Sequence, residues 1–168
     1  QFDTVYHEHF SYFSLTTVAQ IFSKHGLTLF DVEEISTHGG SLRIYARHDG
    51  DGSKPVTERL TALRTKEANA GFATLGHYLS FPEGVNETKR ALLDFLIKAK
   101  REGKKVVAYG AAAKASTLLN FCGVRTDLVD YLVDRSPYKQ GHWLPGVHIP
   151  IHDPERIKTD KPDYVMIL

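Results

Sequence analysis

The sequence lacks the cysteines of a disulfide, the long apolar run of a membrane span and the excess positive charge of a nucleic-acid-binding protein. Its 168 residues include one cysteine, Cys122, so an internal disulfide is excluded. No apolar run approaches the roughly 20 residues of a membrane-spanning helix, and no signal peptide is visible. Lys and Arg number 21 against 20 Asp and Glu, so no excess charge favours a nucleic acid or a membrane as partner. These absences favour a cytoplasmic protein.

The remaining composition is typical of a globular chain, with 42% hydrophobic and 24% charged residues. A chain of this length buries roughly 70% of its extended surface, which is enough for a core. The sequence begins at Gln1 without a methionine and stops on the apolar run PDYVMIL. We therefore expect it to be a piece of a longer polypeptide.

The first 48 residues have the pattern of a helix followed by a strand hairpin. Apolar residues recur at helical spacing over residues 14–25, with Ser14 as N-cap and Gly26 as the stop residue. The apolar pattern then predicts strands over residues 27–35 and 41–48, joined by a turn at HGG.

The polar stretch DGDGSKP, residues 49–55, predicts a linker and a domain boundary. Helices are predicted over residues 56–70 and 86–102. From Lys104 onward short strands alternate with helical segments, in the order KKVVAYG, AAAKASTLLNFCG, LVDYLVD, HIPI, DPERIKTDKP and DYVMIL. This alternation is typical of βαβ units on a parallel sheet, so the predicted fold class is α/β.

The segment AYGAAAK ends a strand in glycine and opens directly into a helix, which gathers backbone N–H groups and the positive end of the helix dipole. Phosphate suits such a place, and Lys114 adds a positive charge. The spacing is not GxGxxG, because Ala112 stands where the second glycine would be. Asp134, at the end of the next strand, has the place of the ribose-holding acid of an NAD-binding domain. Tight strand-to-helix packing with a solvated lysine explains the same pattern equally well.

The opening segment YHEH places Tyr6, His7, Glu8 and His9 side by side. A zinc site needs three or four ligands, and neither HExxH spacing nor a nearby cysteine supplies them. An imidazole tuned by a neighbouring carboxylate can act as a general base, and a phenol can stabilise a developing oxyanion. From spacing alone, a solvated loop that caps the helix at Ser14 stays an equal alternative.

Two further stretches have the composition of ligand contacts. HGGSLR combines two glycines with Arg43 at a strand entry, although a hairpin turn is the simpler explanation. The loop DRSPYKQGHW mixes Arg135 with aromatic and basic residues. That mixture suits a nucleotide base and its phosphates, although long polar loops commonly share it.

Four blocks in this order, FDTVYHEHFSYFSL, HGGSLRIY, AYGAAAKASTLLNF and VDRSPYKQG, resemble the nucleotide-deoxysugar C-methyltransferases, which depend on S-adenosylmethionine. The resemblance implies an N-terminal zinc-binding domain, a central class I methyltransferase domain and a C-terminal Rossmann-like domain. Residues 1–48 would be the end of the central domain, with its final helix and antiparallel strand hairpin. Residues 49–55 would be a linker, and 56–168 the Rossmann-like domain with its parallel sheet.

The resemblance also implies what the chain lacks. The zinc ligands and most of the S-adenosylmethionine site would lie upstream of Gln1, so cofactor-binding residues are not assigned here and no metal is expected in this chain. We expect the chain alone to be inactive. Its expected partners are the nucleotide-diphosphate keto-deoxysugar substrate and the missing N-terminal part of the same polypeptide.

Individual residues acquire roles from the same resemblance. His9 would be the general base that removes a proton from the sugar carbon beside a ketone, while Tyr6 and Glu8 would orient that base or stabilise the enolate oxygen. The implied substrate contacts are His7, Gly40, Arg43, Gly110, Ala111, Ala112, Lys114 and Arg135. Ala115 departs from the family, whose members often carry glycine there.

Two other interpretations stay open. An NAD-type module of an oxidoreductase would use AYGAAAK and Asp134, although the glycines of the dinucleotide motif are missing. A non-catalytic interaction domain would use the Rossmann-like part only to pack against partners.

Overall fold

A computed structural model describes residues 2–168 as two compact units. One unit comprises the residues up to Phe10 together with Glu83–Leu168, and the other comprises Ser11–Pro82. A parallel four-stranded sheet and an antiparallel two-stranded hairpin confirm the predicted α/β class. No helix among residues 2–168 is long and apolar enough to cross a membrane. The predicted boundaries, 1–48, 49–55 and 56–168, concern the domains of a longer polypeptide and stay predictions.

The unit Ser11–Pro82 combines three helices with the hairpin. Its elements are α1 (Leu15–Lys24), β1 (Leu27–Ile35), β2 (Ser41–His48), α2 (Glu58–Asn69) and α3 (Leu75–Leu79). Ser14 caps α1 as predicted, because its Oγ accepts the Thr17 N–H at 3.2 Å. The two strands pair antiparallel, which confirms the predicted hairpin. The apolar faces meet in a core of Leu15, Leu29, Val32, Leu60 and Leu63.

Glu67 on α2 is buried and caps the first turn of α1. Its carboxylate accepts the Leu15 N–H at 2.7 Å and the Thr16 N–H at 2.8 Å, and the Thr16 hydroxyl donates to it at 2.6 Å. The first N–H groups of a helix have no partner within the helix, and they form the positive end of its dipole. A carboxylate from the neighbouring helix therefore satisfies these groups and ties the two helices together.

A second carboxylate, Asp31 on β1, fixes the start of α2. It pairs with the Arg59 guanidinium and accepts the Thr57 hydroxyl at 2.6 Å. The hydrogen bond from Arg59, followed by the one from Thr57, lowers the pKa of Asp31 to about 2. Thr57 is itself the N-cap of α2, and this is why the helix begins at Glu58 rather than at the predicted Val56.

The other unit is built on a parallel sheet in the strand order β5-β4-β3-β6. Its strands are β3, Val106–Tyr109, β4, Leu132–Val133, β5, Ile151–His152, and β6, Tyr164–Ile167. Its helices are α4, Phe81–Arg101, whose first two residues precede the unit, α5, Ala113–Cys122, and α6, Glu155–Asp160. The largest buried cluster joins the central strand to α4 and α5 through Ala108, Leu96 and Leu119. This arrangement agrees with the expected Rossmann-like architecture.

Two elements of this unit differ from the sequence-based prediction. Helix α4 begins at Phe81 instead of Asn86, because Pro82 is tolerated in the first turn, where its missing N–H needs no helical partner. The strand predicted over LVDYLVD shortens to Leu132–Val133. The N–H groups of Leu128 and Val129 turn back to the Arg125 carbonyl at 3.0 and 2.9 Å, and they are thereby lost to strand pairing.

The opening residues pack on α5. A 3-10 helix covers Phe2–Thr4, and the Phe2 ring lies 5.0 Å from the Phe121 ring. The Thr117 hydroxyl donates to the Val5 carbonyl at 3.1 Å. These contacts hold the YHEH segment beside the helix that follows β3.

His152, at the end of β5, contacts Arg156 of α6, which is paired with Asp160 of the same helix. The Arg156 Nη1 lies 2.6 Å from His152 Nε2, and because a guanidinium only donates, the imidazole must be the acceptor and hence neutral. Arg156 also lies 4.5 Å from the centre of the buried Tyr131 ring and pairs with Asp160 at 3.4 Å. Burial, followed by the charge of Arg156, lowers the pKa of His152, although Asp160 opposes this shift.

We expect Glu67→Gln to lower the free energy of unfolding by about 1–3 kcal/mol, because the amide places a donor against the N–H groups of α1. Urea denaturation followed by circular dichroism measures the change. Glu58→Gln, which alters an exposed glutamate of the same helix, is the matched control and should cost about 0.5 kcal/mol or less. Equal losses in the two variants would contradict the capping role of Glu67.

We expect stability to decline as the pH falls below about 6.5, because the unfolded chain protonates His152 more readily than the fold does. The lowered pKa means that this contribution is fully present above that pH and is lost as the pH approaches the pKa of the folded state. His152→Gln should flatten the pH dependence of Tm in that window, whereas His142→Gln, in an exposed loop, should not. An unchanged slope in His152→Gln would refute the assignment.

Candidate functional site

One cavity of the unit that carries the parallel sheet joins two segments that the sequence analysis singled out. Its volume is about 480 Å³. Tyr6 and His7 of the opening segment line it together with the turn between β3 and α5 and with a loop before β5. The lining residues are Tyr6, His7, Ala111, Ala112, Ala113, Ser116, Thr117, Asn120, Leu144 and Pro145.

The turn between β3 and α5 is shaped by Gly110. Its φ is 102°, and a Cβ at this position would lie 3.0 Å from the Leu168 carbonyl oxygen, so the backbone needs glycine. The Gly110 N–H donates to the Val133 carbonyl at 2.8 Å, which attaches the turn to β4. Ala112 is the N-cap of α5, and its methyl group offers no acceptor to the helix N–H groups. The start of α5 therefore presents backbone donors that suit an anion.

Asp134, the residue after β4, is engaged by its own chain. Its carboxylate accepts the Ala111 N–H and the Ser136 N–H, each at 2.8 Å, and the Lys139 ammonium at 3.2 Å. Burial raises the pKa of the Asp134 carboxyl, but the hydrogen bonds from Ser136, Ala111 and Lys139 outweigh burial and hold the pKa below its ordinary value. Three donors of the same chain already engage this carboxylate, which disfavours the ribose-holding role.

Asn120 fixes the loop on the far side of α5. Its amide donates to the Pro145 carbonyl at 2.9 Å and to the Ser116 carbonyl at 2.8 Å. Gly146 has a φ of 82°, and a Cβ there would lie only 2.0 Å from the Asn120 Oδ1. The sequence analysis missed this part of the lining, and the only local signal for it is the turn dipeptide Pro-Gly at residues 145–146.

The YHEH segment places its four side chains differently. Tyr6 and His7 line the cavity, while Glu8 and His9 are absent from the lining that the described residues form. The segment is nevertheless a turn, because the His9 N–H donates to the Tyr6 carbonyl at 3.0 Å, and the Tyr6 and His9 rings meet edge to face at 5.9 Å. His7 Nε2 lies 3.7 Å from the Glu8 carboxylate, with both side chains exposed. The segment thus forms two pairs, Tyr6 with His9 and His7 with Glu8, and each pair has one member in the cavity lining.

The remaining predicted contacts are distributed over both units. Lys114 is half-buried in the first turn of α5. Arg135 is exposed and lies two residues after the end of β4. Gly40 and Arg43 belong to the hairpin of the unit Ser11–Pro82, where Arg43 is ion-paired with a neighbouring strand. The structure brings four predicted residues into the cavity, namely Tyr6, His7, Ala111 and Ala112. The roles of all the predicted residues stay predictions.

In the part of the chain that the structure describes, His, Cys, Asp and Glu side chains form no metal site, and the single cysteine is not reactive. No group of three or more His, Cys, Asp and Glu residues within residues 2–168 is arranged to hold a metal ion. Cys122 is buried in α5, and burial raises the pKa of its thiol. Because the thiolate is the reactive form of cysteine, Cys122 is a core residue rather than a nucleophile.

Comparison with known proteins identifies the family. The family model described as C-methyltransferase C-terminal domain matches residues 36–168. C-methyltransferase NovU of Streptomyces niveus is 34% identical over 168 residues, which are 100% of this chain and 40% of that protein. The chain thus spans 40% of the length of this curated relative. Both findings confirm the resemblance drawn from the four sequence blocks, and the chain belongs to the C-methyltransferase family, whose C-terminal domain it carries.

Proposed function

We propose that this chain is the C-terminal portion of an S-adenosylmethionine-dependent enzyme that methylates a carbon beside a ketone in a nucleotide-linked deoxysugar. The observation that carries the proposal is the shared cavity of about 480 Å³. It unites Tyr6 and His7 of the proton-transfer segment with Ala111 and Ala112 of the anion-binding turn. A sugar nucleotide presents a reacting ring and a diphosphate within one molecule, and such a ligand needs both kinds of group near each other.

The proton-transfer step falls to an imidazole of the opening segment. An ordinary sugar C–H is too weak an acid for imidazole at neutral pH, whereas a carbonyl next to that carbon stabilises the resulting enolate. We assign the base to His9, with His7 as the other candidate because it lines the cavity. The base takes the proton from the carbon, and the electron pair of the broken C–H bond moves into the enolate.

The phenol of Tyr6 and the carboxylate of Glu8 support this step. Tyr6 contacts both the cavity and the His9 ring, so its hydroxyl can donate to the enolate oxygen while its ring orients the imidazole. Glu8 lies 3.7 Å from the Nε2 of His7 and can orient that imidazole.

The diphosphate is assigned to the start of α5. Backbone donors there meet the positive end of the helix dipole, and Lys114 adds a cation in the first turn. Ala115 is almost fully buried, at 1% exposure. The methyl group that departs from the family pattern therefore lies in the core, and we assign the phosphates to the residues before it.

We infer that the parallel sheet does not hold the adenosine part of S-adenosylmethionine. An acid at the end of the second strand holds the ribose in dinucleotide-binding folds, and here the Asp134 carboxylate is engaged by Ala111, Ser136 and Lys139. We assign the S-adenosylmethionine and zinc sites to polypeptide upstream of this chain. S-adenosylmethionine bound there would supply the methyl group, so the chain alone should not transfer methyl groups.

In the full-length polypeptide, we expect His9→Ala to reduce methyl transfer about 100-fold or more, because the enolate then forms without its base. The measurement is incorporation of labelled methyl groups into a nucleotide-linked keto-deoxysugar. His7→Ala identifies which imidazole acts, and His48→Gln, in the other unit, is the control with unchanged rate. Full activity of both His9→Ala and His7→Ala would refute the proposed base and favour an interaction domain.

We expect this chain to bind a nucleoside diphosphate and not NADH. Isothermal titration with dTDP and UDP tests the anion-binding turn, since both carry the diphosphate without the sugar, and titration with NADH tests the NAD-type alternative. Binding of NADH alone would favour an oxidoreductase module. Binding of none of the three would remove the support for a nucleotide-linked substrate.

A further inference from the structure

The carboxylate of Asp134 stands in an unusual place for a site that attracts anions. It lies at the end of β4, and one of its oxygens accepts the N–H of Ala111 at 2.8 Å. Ala111 is buried and lines the cavity. A negative charge so close to the turn repels a phosphate. Asp134 is therefore compatible with an anion site on two conditions: a cation must compensate its charge, and the carboxylate must have a structural role of its own.

Both conditions are met by the contacts of Asp134. Lys139 lies 3.2 Å from the oxygen that accepts the Ala111 N–H, so the charge is paired. The other oxygen accepts the Ser136 N–H at 2.8 Å, and the Gln140 amide donates to the Asp134 carbonyl at 3.0 Å. The Asp134 side chain is only 14% exposed. Its carboxylate is therefore held in one orientation and joins β4 to the turn before α5.

We propose that Asp134 is a positioning residue: it fixes the turn between β3 and α5 in the conformation that binds the diphosphate of the substrate. This inference rests on the proposed function of the same cavity. The carboxylate accepts the N–H of Ala111, and the N-cap residue Ala112 makes no side-chain hydrogen bond to the start of α5. Because three donors of the same chain engage this carboxylate, we assign the nucleotide contact to the phosphates rather than to a ribose hydroxyl.

The chain provides a matched control in Asp153. This aspartate follows β5 just as Asp134 follows β4, and its Oδ1 accepts the Glu155 N–H at 2.8 Å, the same contact two residues ahead. Asp153 is exposed and does not line the cavity that the described residues form. A substitution there alters the same local turn contact without touching Ala111.

The test compares Asp134→Ala, Asp134→Asn and Asp153→Asn by isothermal titration with dTDP. We expect Asp134→Ala to weaken binding about tenfold or more, because the turn loses a charged hydrogen-bond partner. Asp134→Asn keeps one accepting oxygen and the shape of the side chain, so its loss should be smaller. Asp153→Asn should stay within about twofold of the wild type.

A second readout separates positioning from a merely structural role. In the full-length polypeptide, Asp134→Asn should raise KM for the sugar nucleotide and leave kcat nearly unchanged, because the base is untouched. Wild-type affinity in both folded Asp134 variants, or equal losses in Asp134→Asn and Asp153→Asn, would overturn the inference while the proposed function survives. Absence of dTDP binding to the wild type would overturn both.

Discussion

The parallel pairing of β3 with a strand on each side determines where the cavity can form. The Gly110 N–H donates to the Val133 carbonyl on β4, and the Leu168 N–H, just after β6, donates to the Tyr109 carbonyl. The chain leaving β3 is therefore fixed from both sides before α5 begins. The turn before α5 is therefore preformed, so that a ligand proposed to bind there would not have to order it.

Carboxylates at helix starts organise both units. Glu67 takes the first N–H groups of α1, so that helix start is satisfied by the protein itself. Near α5, Asp134 accepts the N–H of Ala111, one residue before the N-cap. A carboxylate therefore caps α1 directly, whereas at α5 it fixes the turn before the helix. The N-cap residues differ as well, because Ser14 caps α1 with its side chain and Ala112 makes no such hydrogen bond.

The sequence was sufficient to predict most of the elements but not the full lining of the cavity. Hydrophobic periodicity and glycine stops predicted α1, the hairpin and the alternation after Lys104, because these signals are local. The early start of α4 at Phe81 depends on the tolerance of Pro82 in a first turn, and the short β4 depends on backbone hydrogen bonds to Arg125; hydrophobic periodicity registers neither. Only part of the site could be predicted, for the same reason. The YHEH and AYGAAAK motifs are local in sequence, whereas Leu144 and Pro145 join the cavity lining only through tertiary packing.

The close fit between Gly146 and Asn120 has a consequence for how this family can diverge. Any side chain at position 146 meets the amide of Asn120, and a shorter residue at position 120 gives up the hydrogen bond to the Pro145 carbonyl. The φ of 82° at Gly146 also disfavours any other residue there, whatever stands at position 120. The loop beside the cavity therefore depends on glycine at position 146 for its backbone and on asparagine at position 120 for its hydrogen bond.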